Sequence, residues 1–93
     1  MQDYLQELWT ETLSRIENPM VRSLATSTCE PIEIDGNLLV LGINGKFQCA
    51  YSVLNHKLNR NCITSALQQI RPDLRVWIML GLTSTSQGVS NGN

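Results

Sequence analysis

A chain of 93 residues has room for one domain. Folding at this size buries only about 60–65% of the surface that the unfolded chain exposes, which leaves little volume for a deep substrate cleft. With 42% hydrophobic and 16% charged residues, the chain has enough apolar material for one core and too much for a disordered polymer.

Net charge is −1, but it is unevenly placed. Residues 1–35 hold seven acids against Arg15 and Arg22, a balance of −5, whereas residues 36–93 hold Lys46, Lys57, Arg60, Arg71 and Arg75 against Asp73 alone, a balance of +4. Such a polarity steers a charged partner toward the basic side, or is no more than two solvated faces.

The first apolar stripe is Leu5, Leu8, Trp9, Leu13 and Ile16, at three- and four-residue steps with Thr12 on the same side, and predicts an amphipathic helix. Asn18-Pro19 then offers an N-cap and a proline for the first helical position, so a second, short helix is expected with Val21, Leu24 and Ala25 inward, ending in the Thr26-Ser27-Thr28 run.

From Pro31 the period changes to two. Ile32 and Ile34 alternate with Glu33 and Asp35, and Asp35-Gly36-Asn37 supplies the positive-φ residues of a tight hairpin into Leu38–Ile43. That second strand is apolar on both faces, as expected of a central strand covered on both sides or with its other face under a helix. Asn44-Gly45 breaks it. Phe47, Ala50, Tyr51, Leu54 and Leu58 predict one face of a third helix starting near Lys46, and Ile63, Ala66, Leu67 and Ile70 continue the spacing after a kink or a new start capped within Asn59-Arg60-Asn61.

Arg71-Pro72-Asp73 stops the helix, and the β-branched and aromatic run 74–80 predicts a final strand. The composition of residues 81–93 is that of a flexible polar tail. The expected architecture is α+β, in the order α-α-β-β-α(α)-β. One domain spans 1–80, with a three-stranded sheet packed against helices.

Catalytic chemistry finds no constellation. His56, the single histidine, has no acid beside it in sequence and reads as a solvated residue in the polar part of the third helix. Cys29, Cys49 and Cys62 are odd in number and widely spaced, so they form neither a disulfide framework nor a CxxC metal clip, and a reducing cytoplasm is the expected compartment. Neither Cys49 nor Cys62 has a neighbour that would activate a thiolate. Asp3, Glu7 and Glu11 recur every four residues as a solvated helix face. There is no Walker loop, dinucleotide fingerprint or HExxH, and no cofactor or metal is expected. No stretch reaches the roughly 20 apolar residues that span a bilayer, and the acidic start is unlike a secretory signal.

Gly42-Ile43-Asn44-Gly45 is a GxxG before a helix, similar to the loop with which KH domains clamp single-stranded nucleic acid, with Lys46 as the local cation. In KH domains that loop joins two helices, whereas here a strand precedes it. The alternative is a strand-to-helix turn that needs positive φ.

Taken together, Leu8-Trp9 in the first helix, Pro31-x-x-x-Asp35-Gly36-Asn37 before an apolar strand, Asn44-x-x-Phe47 opening the next helix, and Ile63-x-x-Ala66-Leu67 before a closing strand resemble two bacterial replication domains. One is the C-terminal domain of the tau subunit of DNA polymerase III, and the other is the N-terminal domain of the replication initiator DnaA. Both are small KH-like αβ domains. The compact stretch from Trp9 to Asp35, with Glu17-Asn18-Pro19 and Arg22-Ser23-Leu24, is more similar to tau; the residues before Leu8-Trp9 and the polar end resemble DnaA leading into its linker.

The tau resemblance implies binding to the polymerase III catalytic subunit. The DnaA resemblance implies self-association through the position of Trp9 and helicase loading through that of Phe47. The candidate protein-contact residues are therefore Leu8, Trp9, Phe47, Lys57 and Arg60, the last two from the polar side of the third helix, and the nucleic-acid alternative uses Gly42, Gly45 and Lys46. Trp9 and Phe47 also lie on apolar helix faces, where core packing competes with partner contact.

Overall fold

The computed structural model describes residues 2–81. Helix α1 (Gln2–Arg15) turns its apolar stripe inward, with Leu8 and Trp9 buried. Thr12, also fully buried, is satisfied within the helix, its Oγ1 donating to Leu8 O at 2.7 Å. Helix α2 (Pro19–Thr28) begins as its sequence dictates: the Asn18 side chain accepts from the Met20 and Val21 N–H groups at 3.0 and 3.2 Å, and Pro19 stands at the first helical position. Replacing Asn18 with alanine leaves those two donors without a protein acceptor. We expect a loss of about 1 kcal/mol, read as a lower denaturation midpoint at unchanged slope.

Strand β1 (Cys29–Asp35) pairs antiparallel with β2 (Leu38–Ile43). The turn between them needs one positive φ and not two. Gly36 has φ +61° and Asn37 is in the ordinary region, the pattern of a turn with its left-handed residue in the first central position. β1 begins two residues before Pro31, and its register shifts between Pro31 and Glu33.

After β2, a 3-10 turn (Gly45–Phe47) leads into α3 (Gln48–Leu54), followed by α4 (Lys57–Gln68) and β3 (Arg75–Leu80). The expected third helix from Lys46 is therefore corrected. Asn44 caps the 3-10 turn by accepting from Lys46 N–H, and the α-helix begins only at Gln48. The break before α4 falls at Asn55-His56 and not at Asn59–Asn61, with His56 in extended conformation at the N-cap position. Leu58, expected on the apolar face, lies in the first turn of α4 and is 68% exposed.

The class is α+β: four helices and a three-stranded mixed sheet in the order β1-β2-β3, with β3 parallel to β2. One face of the sheet presents Leu39, Leu41 and Ile43 of β2 with Val76 and Ile78 of β3. These join Trp9, Ile16, Val21, Leu54, Ile63 and Leu67 from the helical layer in one core. Each such fully buried aliphatic side chain contributes about 1.5–3 kcal/mol relative to exposure. At the edge of the core, Arg71 donates to both carboxylate oxygens of Asp73 and, at 2.6 Å, to the Tyr4 hydroxyl, tying the start of α1 to the loop before β3. The tail expected over 81–93 lies, beyond Gly81, outside the described residues. None of the described helices is long and apolar enough to cross a membrane.

Candidate functional site

Strand parity sets what the other face of the sheet displays. Residues directly opposite on neighbouring strands share a face, so the outer face is built from three rows: Asp35, Leu38 and Arg75; Glu33, Val40 and Trp77; and Glu30, Gly42 and Met79. Val40 lies outside the core cluster yet is buried, because it is flanked in the sheet by Trp77. Trp77 itself is 54% exposed and Met79 41%. The expectation that the second face of β2 lies under a helix is thus corrected: β2 is central, but its outer face is shielded by neighbouring strand residues and stays uncovered by the described helices. The surface that results has an apolar centre, acids along β1 and Arg75 on β3.

Beside β3 an open groove of about 540 Å³ runs between the strand and helices α3 and α4, reaching Tyr51, Asn55, Arg60, Thr64 and Gln68 on the helical side. Arg60 and Arg75 are the charged residues of its lining. Arg60 is held by Asn55, its Nη1 donating to the Asn55 Oδ1 at 3.1 Å and, more weakly, to the Asn55 carbonyl at 3.4 Å.

No protein-family model, curated protein or solved structure matches the chain.

The expected contact residues do not form one site. Leu8 and Trp9 are core residues, Trp9 being only 2% exposed, so neither offers a side chain to a partner on the folded surface. Phe47 is 38% exposed at the end of the 3-10 turn, with the Lys46 ammonium 5.5 Å from its ring centroid. Lys57 is exposed at the start of α4, and Arg60, one turn on, is half-buried in the groove. Gly42 is a buried residue inside β2 and Gly45 opens the 3-10 turn. Neither has a positive φ, so the conformational reason expected for that glycine pair is corrected. The sequence does not mark Trp77 and Met79 as outward-facing, because residues 76–80 are apolar on both strand faces, which hides the alternation that would mark an exposed side.

The remaining reactive groups are dispersed. His56 lies in an open surface dip with Ser52, Val53, Leu58 and Asn59, not in the middle of a helix. Among the described residues no group of three or more His, Cys, Asp or Glu side chains is placed to hold a metal. Cys29 is buried, Cys49 exposed and Cys62 intermediate, all three as free thiols.

Burial pushes the Cys29 thiol from its ordinary value near 9 up to about 12, against the smaller opposite effect of a Thr28 hydrogen bond. The unfolded chain therefore loses this proton at lower pH than the folded one. Stability from this group is intact below pH ~8.5 and falls as pH rises toward 12, by up to ~1.4 kcal/mol per unit. We expect the alkaline slope between about pH 9 and 11 to flatten in Cys29→Ala, measured by denaturation at each pH. An unchanged slope would show that the thiol is not shielded.

Proposed function

We propose that this is a non-catalytic protein-docking domain of the bacterial replication machinery, of the type represented by the C-terminal domain of the tau subunit, acting in the cytoplasm and binding the polymerase III catalytic subunit. The observation that supports docking is Trp77, left more than half exposed beside Met79 on the uncovered sheet face. A large aromatic residue in that position resembles the anchors that dominate protein interfaces. The link to replication rests on the motif set from Leu8-Trp9 to Ile63-x-x-Ala66-Leu67. Several of its members are core residues here, so the motif carries the architecture, and partner contact falls to exposed side chains.

A second reading, the DnaA N-terminal type with self-association and helicase loading, is favoured by the exposure of Phe47 next to Lys46. Capture experiments with purified polymerase III catalytic subunit and replicative helicase separate the two. Retention of the polymerase subunit supports the tau reading. Retention of helicase alone, lost in Phe47→Ala, supports the DnaA reading and removes the first.

A further inference from the structure

We propose that β3 is a strand-accepting edge, which takes an extended acidic segment of a partner protein into the groove alongside α3 and α4. The inference rests on the docking reading above and names the chemistry of the partner.

The two edges of the sheet are built differently. β1 carries Pro31, which has no N–H to offer, a register shift between Pro31 and Glu33, and the acids Glu33 and Asp35. These are the devices by which sheets prevent another strand from pairing. β3 has no proline, no acid and no register shift over its six residues Arg75–Leu80, and its one charge, Arg75, stands at the first position and leaves residues 76–80 uncharged.

Its free groups can be assigned. The Arg75 N–H donates to Asn37 O at 2.8 Å and the Gly81 N–H to Ile43 O at 2.7 Å, bracketing the parallel ladder with β2. Because bonding residues alternate in a parallel pair, Val76, Ile78 and Leu80 direct their N–H and C=O groups away from β2, toward the open edge. Gln68 on α4 donates to the O of Leu74, the residue just before β3, at 3.0 Å, so the helix lies close to the start of the strand and walls one side of an added strand there.

Charge selects the occupant. Arg60 and Arg75 line the groove, and neither forms a salt bridge with a described carboxylate. Asn55 engages Nη1 of Arg60 and leaves its other N–H donors available for a carboxylate. Residues 82–93 contain no Asp or Glu, and β3 of a second copy contributes none either, so a carboxylate for this pair comes from a different chain segment. Two arginines alone would also suit a phosphate backbone. The row of peptide donors and acceptors is what favours a polypeptide strand, whose main chain supplies the matching groups.

The test uses the whole chain and an acetylated, fluorescently labelled peptide of about ten alternating valines and glutamates, long enough to cover the strand. Saturable binding is expected, with amide exchange at Val76, Ile78 and Leu80 slowed about tenfold or more in the complex. Methylating alternate peptide nitrogens preserves every charge and is expected to weaken binding at least about tenfold, as is the pair Arg60→Glu and Arg75→Glu, with unchanged circular dichroism as the folding control.

Absent binding, equal affinity of the methylated peptide, or tighter binding of an oligothymidine of similar length each overturns the proposal. So does a dimer in sedimentation whose Val76, Ile78 and Leu80 amides are protected without peptide. Failure to capture the polymerase III catalytic subunit while the peptide still binds removes the replication reading and leaves the edge site standing. Capture that persists in a double variant that no longer binds the peptide leaves the replication reading standing and overturns the edge as that partner's docking site.

Discussion

Trp9→Ala is expected to destabilise the domain by about 3–5 kcal/mol, enough to leave much of it unfolded at physiological temperature. The side chain is 2% exposed and belongs to the cluster that joins α1 to β2, β3 and α4. Removing the indole deletes the largest side chain of that core, and the rest of the cluster is held by α1, the sheet and the other helices and cannot collapse fully into the space. Denaturant titration checks this. Trp9→Phe should recover most of the stability, because a smaller cavity remains. A Trp9→Ala protein that keeps its stability within about 1 kcal/mol yet loses its partner would show that the indole is a contact residue and that the core is assembled without it.

The opposite behaviour is expected at Trp77. Trp77→Thr keeps a residue suited to a strand, so unfolding stability should change by no more than about 1 kcal/mol, while affinity for the captured partner should fall by about thirtyfold or more. The asymmetry follows from position. Trp9 is enclosed by the domain itself, whereas Trp77 covers Val40 on one side and meets solvent on the other. Titration calorimetry or surface-based binding with the captured partner reads the affinity, and unaltered affinity would move the docking surface elsewhere, with the 38% exposed Phe47 next in line.

The two tryptophans also explain why the candidate site was harder to read than the fold. Both occupy apolar stretches, and a sequence ranks them by local periodicity. Trp9 sits on a regular helical stripe and draws attention as a shared motif residue, but the same stripe buries it. Trp77 sits in a strand whose two faces are both apolar, so its outward direction is fixed only when Val76 and Ile78 are seen to enter the core. The helical region failed in a related way. The spacing of Phe47, Ala50, Tyr51, Leu54 and Leu58 runs on across the break at Asn55-His56, because periodicity records side-chain direction and is blind to where the chain changes axis.

What the sequence by itself determined is local: the Asn18-Pro19 start of α2, the Gly36 turn that closes the hairpin, the alternation in β1, and the composition of one small α+β core. Each depends on residues within a few positions of one another, through caps, fixed φ values and side-chain period. Only the tertiary structure decided that β3 joins β2 in parallel as an edge, that the helical layer covers one face of the sheet and leaves Trp77 and Met79 on the other, and that Arg60 and Arg75 line one groove. Those outcomes depend on pairing between residues far apart in the chain, where the competing arrangements bury nearly the same apolar side chains and local pattern cannot distinguish them.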